Sequence, residues 1–160
     1  MTPIMKSLAE AAGQLCKVLL PIRQEYYIGT GKEAAVCTLS SIDLLCEISQ
    51  SGVMRHIAIA GRLLSENRGI DAIINFTLKH PDLKCIVVCG KEVKGHRAGQ
   101  ALLALGNNGM DLSGRIICAT GPSPILKSSP EQVDTFRSQV EILDMIGIIA
   151  VDKIVQVLVT

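Results

Sequence analysis

Short β-branched apolar runs alternate with amphipathic helical patterns along this chain. They predict an α/β fold: a Rossmann-like three-layer domain around a mostly parallel sheet of about five to six strands. Two further observations support that class. The 160 residues are 48% apolar with a mean hydropathy of +0.37, enough to bury a substantial core as a single domain. The glycines and polar residues gather in loops directly after the predicted strands, where open α/β sheets bind ligands. The expected organisation is one domain over residues 1–160, with residues 1–31 as an N-terminal helix and lead-in, and no repeat or linker.

The first element is a helix from Ile4 to about Leu19, ended by Pro21. Gly29-Thr30-Gly31-Lys32-Glu33-Ala34 fits the letters of the dinucleotide fingerprint G-x-G-x-x-A, but it precedes a strand instead of following one. It reads as a turn feeding that strand. Ala34–Leu39, Arg55–Ala60, Lys84–Cys89 and Arg115–Ala119 have the length and β-branched content of strands covered on both faces. Between them, Asn67 to Leu78 places Ile70, Ile73, Ile74 and Thr77 on one helical face. Ala98, Ala101, Leu102 and Leu105 repeat the i, i+3, i+4, i+7 spacing, and Gly106-Asn107-Asn108-Gly109 ends that helix. Ser129, Pro130 and Gln132 form an N-terminal signature for a helix to about Ser138. Val140–Met145 is the last expected strand and Ala150–Leu158 the closing helix.

Composition removes several function classes. Sixteen basic residues against 15 acidic ones, no basic cluster and no Trp argue against a nucleic-acid partner. No segment approaches the ~20 apolar residues of a membrane span. The run Met145–Val151 is closed by Asp144 and Asp152 and reads as core, and the N-terminus lacks a signal-peptide apolar region. The expected location is cytoplasmic. Six cysteines without an export signal are expected as reduced thiols, and the Cys85/Cys89 spacing is not that of a zinc site.

The informative loops are Gly61 to Asn67, Gly90 to Gln100 and Thr120 to Pro124. Gly90 and Gly95 have P-loop spacing, but His96 and Arg97 stand where Lys and Ser/Thr are required. What remains is a basic glycine loop of Lys91, Lys94, His96 and Arg97, able to meet a phosphate or nucleotide at a helix start, or simply solvated. His96 stands out because it opens a helix beyond a strand end, between Gly95 and Gly99. His56 and His80 have no such setting. A Cys89–His96 thiol and base pair is a further reading, but Cys89 belongs to a strand interior and no residue in the sequence visibly orients His96. Glu66 and Glu92 lie in different loops, and spacing does not say whether they converge.

At Glu92-Val93-Lys94-Gly95-His96-x-x-Gly99-Gln100 the chain resembles the A subunit of tetrahydromethanopterin S-methyltransferase. The resemblance runs through Tyr27-x-Gly29 into Ala35-Val36-Cys37-Thr38, Glu66-Asn67-x-Gly69-Ile70, Asn108-Gly109, Gly114-Arg115-Ile116-Ile117-x-Ala119-Thr120-Gly121 with Pro124, and Phe136-x-x-Gln139-Val140-Glu141. It implies a cobalamin or related corrinoid, with His96 as axial ligand to cobalt. Lys94, Gly95, Gly99 and Gln100, together with Gly90, Asn67, Thr120, Gly121 and Pro124, would then lie around the cofactor. It also implies methyl transfer from a reduced pterin to a thiol, carried out with partner methyltransferase subunits; a homo-oligomer stays open. His96 would bind and release through that cycle. Methionine-synthase-type corrinoid domains carry Asp-x-His-x-x-Gly, whereas Lys94 stands at the acidic position here. The family's C-terminal membrane helix has no counterpart, and Arg62-Leu63-Leu64 replaces a small, Cys-containing segment. A soluble homologue is therefore the expectation, beside a nucleotide- or phosphate-binding module and a cofactor-free interaction paralogue.

Overall fold

A computed structural model describes residues 25–159. Five strands form one sheet: β1 (Tyr26–Ile28), β2 (Ala34–Cys37), β3 (Ile57–Gly61), β4 (Cys85–Gly90) and β5 (Glu141–Ile146). The order is β1-β3-β2-β4-β5, with β2 to β5 parallel and β1 antiparallel at the edge. The helices are α1 (Ile42–Gln50), α2 (Arg68–Lys79), α3 (Ala98–Asn108), α4 (Pro130–Gln139) and α5 (Val151–Val159). The mostly parallel three-layer α/β class is as the sequence predicts.

Strand alternation builds the two outer layers. Ala35, Cys37, Ile86 and Val88 face one cluster with Ile70, Ile74, Leu102, Leu105 and Phe136, so α2, α3 and α4 cover that face. Ala34, Val36, Val87 and Cys89 point the other way, against Leu44, Leu45 and Ile48 of α1 and Ile154 of α5. A side-chain period of two, read on two central strands, is what requires helices on both sides. Ser129 and Gln132 form the expected capping box at α4.

Several expectations change. The N-terminal helix from Ile4 to Leu19 lies outside the described residues. Arg115–Ala119 is not a strand of the sheet: Met110 bridges Ile116 and Arg115 bridges Ile125 as isolated antiparallel contacts. Of that run Ile116 is buried, while Ile117 and Cys118 are exposed and Cys118 has φ +66°, which breaks the extended backbone. The Arg55 start of the second expected strand belongs to a 3₁₀ turn, Gly52–Arg55, and β3 begins at Ile57. β1 and α1 join the elements that the sequence predicts. Residues 29–33 form the turn between β1 and β2, as expected of the glycine pair there.

β3 and β4 flank β2 on opposite sides, so successive connections diverge between β2 and β4. That switch point opens a crevice beyond the carboxyl ends of both strands. Ser40 and Ser41 tie the two loops together: Ser40 Oγ donates to the Lys91 carbonyl at 2.7 Å, and Lys91 N donates to Ser41 Oγ at 2.8 Å.

Burial pushes the Cys37 and Cys89 thiols up to about 12, whereas Cys118 is exposed. Alkylation at pH 8 followed by peptide mapping is expected to label Cys118 early and to leave Cys37 and Cys89 unmodified until the protein unfolds. Early labelling of Cys89 would contradict the strand packing.

Candidate functional site

The loop after β4 carries His96 over the carboxyl end of the sheet to Glu66, which belongs to the loop after β3. His96 Nδ1 lies 2.8 Å from Glu66 Oε2, and the exposures are unequal: 55% for the His96 side chain and 1% for Glu66. Burial alone would raise the Glu66 carboxyl. The amides of Glu66 itself and Ser123, with the His96 imidazole, outweigh it and hold the carboxyl below the usual glutamate range. A carboxylate only accepts, so Nδ1 carries the proton and donates. Nε2 is the ring nitrogen that this contact leaves unused.

Glu66 also accepts from Ser123 N through Oε1 at 3.0 Å. Asn67 adds a second tie to the same residue, its Nδ2 donating to the Ser123 carbonyl at 3.1 Å, while its Oδ1 accepts from Arg68 N at the start of α2. Gly121 passes so close that any Cβ there would collide with the His96 carbonyl and sit 3.2 Å from Glu66 Cγ. A glycine is needed because backbone packs on backbone directly behind the imidazole.

Glu92 does a different job. Its Oε1 accepts from Val93 N at 2.7 Å and Gly99 N at 3.0 Å, and its Oε2 accepts from Gln100 N at 2.8 Å. The first-turn amides of α3 are thus filled by a carboxylate from within the loop. This removes the anion site that the Gly90–Gly95 spacing suggested, because a phosphate would meet Glu92 instead of open N–H groups. The basic glycine loop has P-loop spacing, but the amides of Gly99 and Gln100 at its helix end already have a carboxylate acceptor.

Gln100 uses both ends of its amide to hold the third loop. Nε2 donates to the Cys118 carbonyl at 2.9 Å, and Oε1 accepts from Thr120 N at 2.9 Å and Thr120 Oγ1 at 3.1 Å. Pro124 is buried, and its carbonyl accepts from Ile116 N at 2.9 Å. Lys94 and Gly95 are exposed beside His96. Gly90 and Gly99 are buried: Gly90 ends β4, and a Cβ on Gly99 would meet Leu39 Cδ1 at 2.8 Å and Ile146 Cδ1 at 3.0 Å. Close packing of α3 on the sheet therefore accounts for the glycine at 99.

The structure brings His96, Gln100, Thr120, Gly121 and Asn67 into one platform and adds Glu66, Glu92 and Ser123. Glu66 was visible as a loop carboxylate, but nothing local paired it with a histidine 30 residues away. It supplies in space the acidic partner that Lys94 denies in sequence. Cys89 packs in the cluster on the α1 and α5 face, buried and with its thiol raised, so it does not form a nucleophile with His96. His80 is satisfied, its Nδ1 2.7 Å from the Phe76 carbonyl and its ring stacked on Phe76. Three non-glycine residues with positive φ among those described, Leu39, Arg97 and Cys118, all fall in loops around this end of the sheet. Such backbone strain is held by the surrounding ties and clusters at functional sites. No group of three His, Cys, Asp or Glu side chains among the described residues could hold a bare metal ion.

Comparison with known proteins gives a family. The family profile for the A subunit of tetrahydromethanopterin S-methyltransferase matches residues 17–159. The second form of that A subunit in Methanothermobacter thermautotrophicus is 40% identical over 133 residues, covering 81% of this chain and 70% of the relative. Its counterpart in Methanothermobacter marburgensis is 38% identical, covering 78% of this chain and 66% of the relative. The A subunit of the Methanocaldococcus jannaschii enzyme is 36% identical, covering 82% of this chain and 54% of the relative. The chain thus spans between about half and just over two thirds of the length of these relatives.

Proposed function

The chain belongs to the tetrahydromethanopterin S-methyltransferase A-subunit family, and from that premise we propose that it is a corrinoid-binding methyl carrier with His96 as the axial nitrogen ligand to cobalt. The observation that carries this reading is the Glu66–His96 hydrogen bond at the carboxyl end of the sheet, which holds the proton on Nδ1 and leaves Nε2 outside that contact. Metal-ligating histidines depend on such a partner to fix tautomer and ring orientation. Gly95 is exposed beside His96 with open space where a Cβ would stand, and the Gln100–Thr120 clamp and Gly121 fix the neighbouring loop, an arrangement that could admit a broad flat macrocycle. Half-exposure of His96 leaves room for the imidazole to bind and release.

A bound corrinoid supplies a nucleophilic cobalt that accepts and returns a methyl group. The protein's own contribution is to hold the proton at Nδ1, to position the ring, and to keep Ser123 and Gly121 packed behind Glu66 so that the pair does not drift. In this reading the carrier is cytoplasmic, the donor is a methylated tetrahydropterin, the acceptor a thiol, and the donor and acceptor sites belong to partner methyltransferase subunits. No helix among the described residues is long and apolar enough to cross a membrane. The phosphate-binding alternative loses its support with the Glu92 cap.

The test is to titrate the purified protein with hydroxocobalamin and record the visible spectrum. Retention of the corrinoid with a spectral change that His96→Ala abolishes is expected. No retention, or identical spectra for both proteins, overturns the ligand assignment.

A further inference from the structure

The segment 121–129 has no regular structure of its own, yet it packs directly behind the Glu66–His96 pair. The start of α2 holds it at two points. Glu66 and Asn67 bond to the backbone N–H and carbonyl of Ser123, and one turn further on Asp71 takes the far end. Asp71 Oδ1 accepts from Ser128 N at 3.0 Å and from Ser128 Oγ at 2.6 Å, and its Oδ2 accepts from Lys127 N at 3.0 Å. Asp71 stands at i+4 from Asn67, on the same face of the helix, and its own N–H donates to the Asn67 carbonyl at 2.9 Å. One helical turn therefore fixes the spacing of both anchors. Between them, Leu126 N donates to the Gly114 carbonyl at 2.8 Å and the Pro124 carbonyl accepts from Ile116 N at 2.9 Å. Residues 114–116 belong to the same excursion between α3 and α4, so apart from the buried Leu126 side chain the segment depends on α2 for its position.

We propose that Asp71 is a positioning residue for His96: by fixing residues 127 and 128 to α2 it keeps Ser123 N on Glu66, and so keeps the Glu66 carboxylate on the imidazole. For cobalt ligation this rests on the corrinoid reading above; for the state of the ring in the corrinoid-free protein it does not. Glu66 divides its two oxygens, Oε1 to Ser123 N and Oε2 to His96 Nδ1. A buried carboxylate that loses one donor turns or shifts toward another, because leaving it unpaired is costly. A displaced Ser123 thus moves Oε2 away from Nδ1. Asp71 touches neither His96 nor Glu66, and its bonds to two successive amides and a hydroxyl are charge-assisted, the stronger kind.

The tautomer of His96 reads this out. At about pH 8.5 an ordinary imidazole is neutral, and in water it favours the Nε2–H form, whereas the Glu66 contact favours Nδ1–H. Nitrogen NMR of the corrinoid-free protein distinguishes the two forms, with His96→Ala assigning the signal. Wild type is expected as Nδ1–H. Asp71→Ala is expected to move the ring toward Nε2–H, and Asp71→Asn, whose one oxygen can keep the Ser128 contacts, to stay close to wild type. Gln139→Ala controls for stability alone. It strips the donor from the carbonyls of Thr77, His80 and Leu83 at the other end of α2, so it should lower Tm and leave the tautomer unchanged. With hydroxocobalamin, Asp71→Ala is expected to bind roughly 3- to 10-fold more weakly than wild type, a smaller loss than for a direct partner of the ligand. A wild-type tautomer in Asp71→Ala, an equal shift in Gln139→Ala, or Nε2–H in the wild type itself overturns the proposal. A wild type that binds no corrinoid overturns the corrinoid reading, while the tautomer shift still decides whether Asp71 positions the ring.

Discussion

Glu66→Ala is expected to destabilise the protein by about 1–3 kcal/mol and to weaken corrinoid binding roughly 10- to 100-fold. The stability figure comes mainly from Ser123 N, which loses its carboxylate acceptor at 3.0 Å. The His96 contact adds little to stability, because a ring that is 55% exposed is well screened. Binding should suffer more than folding: without Glu66 nothing holds the Nδ1 proton, and the ring is free to rotate or change tautomer. Glu66→Gln can still accept from Ser123 N, so it should recover most of the stability and less of the binding. Thermal unfolding and cobalamin titration on the two variants check this. A fall in stability with unchanged cobalamin affinity would mean that Glu66 only supports the loop.

The same carboxylate gives a pH dependence whose sign is fixed. Its folded-state pKa lies below the ordinary value of 4.5, so its stabilising contribution is full above about pH 4.5 and is lost as pH falls through the lower folded value. The Asp111 and Glu33 carboxyls are also held low, by Ser113 and Lys84 respectively, and contribute to the acid limb in the same direction. The difference between wild type and Glu66→Gln isolates the Glu66 share. It should be largest near neutrality and vanish in strong acid.

What could be read from the sequence is what is local. The β4–loop–α3 unit, the Ser129–Gln132 box and the helical face of Ile70 and Ile74 depend on spacings of a few residues, and all appear in the structure. His96 could be singled out for the same reason, since a residue between a strand end and a helix start has its place set by its immediate neighbours. The pairing of Glu66 with His96, and of Gln100 with residues 118–120, depends on how the loops after β3, β4 and α3 are carried together by the sheet order. No periodicity encodes that. Arg115 to Ala119 misleads in the opposite sense: Ile116 and Ile117 have strand composition, but both sides of the preceding strand are taken, because β4 already pairs with β2 and β5. β1 is three residues long and gains its strand character from β3 alone, which is too little pattern to read in advance.

Glu92 carries the other large expectation. Glu92→Ala should cost about 2–4 kcal/mol, since it strips a charged acceptor from Val93 N, Gly99 N and Gln100 N together and removes a negative charge from the α3 N-terminus. At roughly 2–4 °C per kcal/mol for a chain of this size, that is a fall in Tm of about 5–15 °C. Part of the loss should reach the site, because Gln100 lies in the first turn of α3 and clamps residues 118–120. Glu92→Gln tests the physical cause: it keeps two acceptor directions on one oxygen and loses the charge, so it should fall between wild type and alanine. It also tests the rejected phosphate reading. With the carboxylate neutralised, inorganic phosphate should begin to stabilise the protein, whereas wild type should show no stabilisation by phosphate at all. Phosphate stabilisation of wild type equal to that of Glu92→Gln would mean that the amides are open after all, and that the basic loop is an anion site in its own right.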